Sequence, residues 1–363
     1  MSDEIYHQLR EQLDQYGVGY PTTESGVEMK ILEKLFTEED AEMFLNMSMM
    51  METPESVAKR LNRDPVKVAE QLDSMAQKGL LFRLRKEGSA RYSAVPFVIG
   101  IYEFQINAMD EELARLCDKY FDEGGFMDQM AQQTISLRPI PVNRSMDVSW
   151  PIAAYEDARG IIKKQEKIAV ARCICRLEKE ILNKACGKPL EVCLQFGPQA
   201  DYFVELGMAR YISTEEALDI LDLCDSEGLV HQPNSSKNVI AMCNCCGDCC
   251  GGLRSIKRHP RPAEIVLSNY YAAVDPDLCC ACETCLDRCQ MDAISMGPDD
   301  AAVIDLDRCI GCGLCVTTCE TGALTLEPRP EDKRREPPAK YTDFVVNLSK
   351  NRGKSVIPLS FKS

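Results

Sequence analysis

The feature that most constrains this chain is a cysteine pattern that occurs twice. Cys279, Cys282, Cys285 and Cys289 form C-x2-C-x2-C-x3-C, and Cys309, Cys312, Cys315 and Cys319 repeat it thirty residues later with the same spacing. The likeness extends to the flanks: VDPDLC leads into Cys279 and IDLDRC into Cys309, while Ala293–Ile294 answers Ala323–Leu324. Such a duplication implies two structural halves of one design. The chain has 20 cysteines in 363 residues but only three histidines, His7, His231 and His259, so its metal chemistry must rest on thiolate. Thiolates select zinc or iron–sulfur clusters. All the cysteines but Cys117 lie beyond residue 170, and most sit so close together that sharing a metal is easier than pairing as disulfides.

A C-x2-C-x2-C loop turns three thiolates toward one cubane, while the cysteine that follows starts a helix pointing the other way. On these residues the segment 264–328 resembles the bacterial-type dicluster, or 2[4Fe-4S], ferredoxin domain. The resemblance implies two pseudo-symmetric halves and two [4Fe-4S] clusters. It assigns Cys279, Cys282, Cys285 and Cys319 to one cluster, and Cys309, Cys312, Cys315 and Cys289 to the other. The proline usual after the fourth cysteine is replaced by Gln290 and Glu320, which bears on the turn and the potential rather than on ligation. Zinc is the competing use, but it favours paired knuckles at variable separation over this register. Cys280 stands where the second half has Ile310 and is read as a packing residue.

Nine further cysteines follow two short apolar strands. KIAVARCIC delivers Cys173 and Cys175, and the loop beyond brings Cys186 and Cys193. NVIAMCNCCGDCC delivers Cys243, Cys245, Cys246, Cys249 and Cys250. Within it Cys243, Cys246 and Cys249 have the ferredoxin-loop spacing, with a fourth ligand expected from the Cys173–Cys193 set. One or two more iron–sulfur clusters are the expectation for these metal candidates. Structural zinc on four of the nine is an alternative, as are free thiols, although thiols so crowded invite random disulfides. The elements Cys245–Cys246–Gly247 and Cys249–Cys250–Gly251 resemble the CCG elements of heterodisulfide-reductase-type subunits, although the spacing to the other cysteines departs from that family. Cys224, at helical spacing with Ala217, Ile220 and Leu221, and Cys117, with Leu113, Leu116 and Tyr120, read as core.

The rest divides by composition. Residues 1–52 carry 12 acidic against three basic residues and read as an acidic helical region, with Met47, Met49, Met50 and Met51 as packing. Residues 53–98 read as a winged-helix-like module. Thr53–Pro54 and Asp64–Pro65 are N-caps followed by proline; Val68, Ala69, Leu72, Met75 and Ala76 share a helix face; and Phe82 to Ala94 alternates about Gly88–Ser89. Nine Lys/Arg against five Asp/Glu make residues 53–92 locally basic, yet the whole chain has a net charge of -15. Docking to a protein or to another domain is therefore preferred over DNA. Residues 99–150 read as helix and a linker with Pro139 and Pro141, running up to Pro151. Residues 151–258 read as a cysteine-rich α/β middle domain, 259–328 as the ferredoxin-like domain and 329–363 as an irregular tail. The fold class is thus α+β multidomain.

No apolar run reaches the roughly 18 residues of a membrane span, and the polar start MSDEIYHQLREQ predicts a cytoplasmic protein. There is no G-x-G-x-x-G, no P-loop and no ordered acid/base set, so no catalytic residue is assigned. The expected function is iron–sulfur electron transfer to or from a partner oxidoreductase in anaerobic metabolism. The alternatives are a redox-sensing DNA-binding regulator, and a reductase subunit with an open-site cluster in the middle domain.

Overall fold

A computed structural model of the chain describes residues 2–361 apart from 87, 124–135 and 147–152, so Pro151 lies outside the described residues. Polar caps set the N-terminal elements. Thr37 and Asp40 form a reciprocal box at helix Glu38–Leu45, Thr53 caps Pro54–Leu61, and Asp64 caps Pro65–Gln77. Gly79 ends the last of these at φ +72, where a Cβ would run into Phe104 and Gln105. Strands β1 (Phe82–Lys86) and β2 (Ser89–Ser93) then pair antiparallel, and Glu52 bridges Tyr92 at their edge.

Only Arg83 among the basic residues of this segment is buried, but five of them pair with carboxylates of the chain itself. Arg60 pairs with Glu52, Arg63 with Glu42 and Lys78 with Asp40, while Arg83 and Arg85 share Asp73 and Glu205. Glu205 ends helix Pro198–Glu205 of the middle region. On the same helix, Tyr202 Oη lies 2.9 Å from the Ala76 carbonyl and 2.8 Å from that of Leu81, and the rings of Phe82 and Phe104 meet its edge. The segment is therefore docked on its own chain.

The middle region contains a five-stranded sheet of β3 (Ile168–Arg172), β4 (Glu191–Phe196), β5 (Ala209–Ile212), β6 (Val230–Pro233) and β7 (Ala241–Cys245), in the order β5-β3-β4-β7-β6. Every pair is antiparallel, which corrects the α/β expectation to α+β. The reason lies after β3. Helix Ile174–Ile181 and the loop beyond it return the chain to the same end of the sheet, where the Cys173 N–H meets the Leu190 carbonyl at 2.8 Å. Val170, Leu194 and Phe196 pack with Ile220, Leu221 and Cys224 of helix Thr214–Ser226. Cys117 is likewise buried, on helix Glu111–Glu123, and Met47 is buried while Met50 is exposed.

Beyond it, β8 (Tyr270–Val274) pairs with β11 (Leu324–Pro328), enclosing the hairpin β9 (Ile294–Met296) and β10 (Ala302–Ile304). The duplication is written in the backbone. Ala281, Glu283 and Asp292 take positive φ, and so do Gly311, Gly313 and Gly322, thirty residues on.

The segment expected as an irregular tail forms helix Tyr341–Asn351, with Phe344, Val345 and Leu348 buried. This short apolar stripe is flanked by prolines that hide it in the sequence. It packs on the first helices: Arg352 binds Asp14 at 2.7 Å, and Ser349 Oγ accepts the Gly17 N–H at 3.0 Å. No helix among the described residues is long and apolar enough to cross a membrane.

Candidate metal centres

The duplicated cysteines converge on two small hollows. Cys279, Cys282, Cys285 and Cys319 line the first together with Cys280, and Cys289, Cys309, Cys312 and Cys315 line the second. Both hollows receive the same backbone donor: the Ala302 N–H points to Cys279 Sγ at 3.5 Å, and the Ala272 N–H to Cys309 Sγ at 3.4 Å. The Ala293 N–H adds a bond to Cys289 Sγ at 3.2 Å. Four thiols in an apolar hollow with N–H donors suit a [4Fe-4S] cluster, whose potential depends on hydrogen bonds to sulfur and on exposure.

The hollows differ in cover. The loop Cys309–Cys315 is almost wholly buried, with the Val142 N–H bonded to the Cys312 carbonyl at 3.0 Å and Gly313 pressed against Ser145. Among the described residues nothing comparable covers the first loop, where Cys282 is exposed. Cys280 is exposed too, against the expectation that it packs, because the cover over its counterpart Ile310 has no equivalent here.

The nine middle cysteines separate into two groups. Side chains alternate along a strand, so Cys243 and Cys245 of β7 share a face and Cys246 turns to the other. The expected trio Cys243, Cys246 and Cys249 is therefore not brought together. Instead, thiol contacts run from Cys193 to Cys243, Cys245, Cys250, Cys175 and Cys173. These six line one apolar cavity with Tyr102, Glu103 and Phe121. Cys173 and Cys250 cap the N-termini of helices Ile174–Ile181 and Gly251–Arg258, and Cys250 Sγ accepts the Leu253 N–H at 3.5 Å. The helix N-terminus favours thiolate at each, yet contact with the neighbouring thiols and burial push both thiols up. The second group is Cys186, Cys246 and Cys249, whose sulfurs all lie within 4.8 Å of one another.

Arg176 stands between the groups. Its Nη1 lies 3.9 Å from Cys246 Sγ and its Nη2 donates to the Asn244 carbonyl at 3.1 Å. Asn244 Oδ1 in turn lies 2.6 Å from His231 Nδ1, and burial pushes the His231 pKa down. His231 is thus a structural partner of Asn244 and reaches no cysteine group. Burial pushes the Glu103 carboxyl up to about 7, although it accepts the Gly100 N–H at 2.8 Å. Tyr102 Oη donates to Glu178 Oε2 at 2.7 Å, and burial pushes Glu178 up to about 7 as well. Arg176, Glu103 and Tyr102 escape a reading of the cysteines alone. Only Arg176 left a trace, three residues after Cys173.

Several contacts join the middle region to the ferredoxin-like one, among them Asn269 and Tyr270 to Glu156 and Lys257 to Asp292. Gln290 Oε1 accepts the Gly247 N–H between Cys246 and Cys249. Asp225 receives Arg288, Thr317 and Arg144. Gln290 follows Cys289, so the residue that replaces the usual proline makes one of these crossings.

No curated protein and no solved structure matches the chain. Residues 302–325 match the 4Fe-4S binding domain family (Fer4), and this stretch holds Cys309, Cys312, Cys315 and Cys319. The chain therefore carries a 4Fe-4S binding domain, set in a cysteine-rich protein of mixed helices and small sheets.

Proposed function

We propose that this chain is an iron–sulfur electron-transfer protein or subunit of an anaerobe's cytoplasm, exchanging electrons with a partner oxidoreductase. Two [4Fe-4S] clusters belong to a dicluster ferredoxin-type domain, on Cys279, Cys282, Cys285 and Cys319 and on Cys309, Cys312, Cys315 and Cys289. A third centre belongs to the cavity of Cys173, Cys175, Cys193, Cys243, Cys245 and Cys250. The observation that carries this reading is three apolar hollows, each lined by four or more converging cysteines, two of them related by the thirty-residue repeat.

A bound [4Fe-4S] cluster takes up and releases one electron. The residues of the chain do the rest. The Ala272, Ala293 and Ala302 amides stabilise charge on sulfur, the linker at Val142–Ser145 keeps water from the second hollow, and Gln290 holds the middle loop against it. Exposure at Cys282 makes the first hollow the port for a partner. The winged-helix-like module serves as a docking element, since Arg83 and Arg85 bind Glu205 of the same chain. That pairing takes part of the module's positive charge and weighs against the DNA-binding reading.

Iron and acid-labile sulfide on anaerobically purified protein test the proposal. About twelve of each are expected for three clusters, with reversible bleaching on reduction. Fewer than about eight irons, or no reversible reduction, would sink it. The reductase reading is favoured by one observation, that six cysteines and Glu103 line a cavity where four thiolates would complete a cluster. Steady turnover of a disulfide by the isolated chain would select it.

A further inference from the structure

We infer that Cys186, Cys246 and Cys249 bind a single thiophilic divalent cation of zinc's class, and not a cluster. The first argument is distance. Tetrahedral thiolate zinc has Zn–S bonds of about 2.3 Å, which sets its sulfurs about 3.8 Å apart. Cys186 Sγ and Cys246 Sγ are 3.7 Å apart, and all three sulfurs fall within 4.8 Å. Among the described residues no other three Cys, His or carboxylate donors come so close. The ferredoxin-like cysteines are spread around hollows instead, and the trio lines neither of those hollows nor the six-cysteine cavity.

The second argument is local form. Cys246–Gly247–Asp248–Cys249 is a C-x2-C knuckle, the usual zinc-binding turn, and the Cys249 N–H bonds to Cys246 Sγ. Gly247 allows the backbone of Gln290 to press against that turn, since a Cβ there would lie 2.7 Å from the Gln290 carbonyl oxygen. Cys186 is followed by Gly187 at φ +74, a turn that glycine adopts without strain.

The third argument is charge. Arg176 is 2% exposed, and among the described residues it has no carboxylate ion-pair partner and its Nε has no hydrogen-bond acceptor. A buried unpaired guanidinium is costly. Three thiolates and one divalent cation carry a net charge of -1, which the adjacent Arg176 neutralises. Among the described residues no fourth protein donor joins the trio within 4.8 Å, so the fourth vertex goes to a water molecule on the side of Cys186, its partly exposed member.

Metal analysis and zinc-edge X-ray absorption on the full-length chain, purified anaerobically, test this. The expected result is one zinc per chain with three sulfurs at about 2.3 Å and one lighter atom. Cys186→Ser and Cys249→Ser should each lose at least nine-tenths of the zinc and keep their iron and sulfide. Absence of zinc, a shell of four sulfurs, or loss of iron in place of zinc would each overturn the inference. Should either variant fail to fold, the spectrum of the unaltered chain decides alone. The cluster reading fails separately: low iron with zinc present sinks only that reading, and full iron without zinc sinks only this one.

Discussion

Gln290 Oε1 accepts the Gly247 N–H at 2.6 Å, so a single side chain ties the fourth-cysteine turn of the ferredoxin-like region to the cysteine loop of the middle one. Removing it in Gln290→Ala should cost about 1 kcal/mol of stability. Gly247→Ala should cost more, because its Cβ would lie 2.7 Å from the Gln290 carbonyl oxygen. The obstacle is backbone, so the penalty should persist in the double variant. Chemical denaturation of the three proteins checks this, and relief of the Gly247→Ala cost by Gln290→Ala would contradict it.

The left-handed positions of the two cysteine loops make opposite predictions. Ala281 holds φ +56 with a side chain, and Ala281→Gly should stabilise that loop by about 0.5–1 kcal/mol. Gly311 is its counterpart at φ +66, where a Cβ would collide with the Tyr270 carbonyl. Gly311→Ala should therefore lose iron from the second hollow only. Iron content falling by about four per chain, with the first cluster's signal intact, is the expected readout.

Arg176 supplies positive charge to both middle groups. Its replacement in Arg176→Met should lower the midpoint potential of the six-cysteine centre by on the order of 50–100 mV, because the reduced state carries the extra negative charge. Arg176→Lys should recover most of the shift. Potentiometric titration followed by electron paramagnetic resonance reads this, with the two ferredoxin-type potentials as internal controls.

Glu103 carries a pH signature. Its carboxyl titrates near 7 in the folded chain against an ordinary 4.5, because burial penalises the charged form. Between those values the folded state binds more protons than the unfolded one, so stability falls as pH rises from about 4.5 to 7 and levels off above. Glu103→Gln should flatten that slope and raise stability at pH 8. Urea midpoints for both proteins at pH 5.5 and 8 check the sign.

How far the sequence reached depended on how local each interaction is. The ferredoxin-like cysteines sit within eleven residues of each other in each half, so their repeat was legible in the sequence, and the resemblance supplied their expected pairing. The middle cysteines are assembled by strand pairing, with Cys193 and Cys243 brought together by the β4–β7 neighbourhood, which no local pattern encodes. The alternation along NVIAMCNCC did already separate Cys243 from Cys246, since odd spacing changes faces on a strand. The middle domain reads as α/β in the sequence, and the loop returning to Leu190 makes its strands antiparallel instead. The helix Tyr341–Asn351 was hidden because its partners lie more than three hundred residues away.

That last contact decides how the molecule can work. Arg352 grips the carbonyls of Asp14 and Gly17, and Ser360 reaches the Leu45 carbonyl, so the end of the chain is clasped beside its beginning. For the proposed electron carrier, such a clasp would hold the first helices and the segment 341–361 as one piece, as in a wire set in resin, and leave the exposed Cys282 side for a partner to land on.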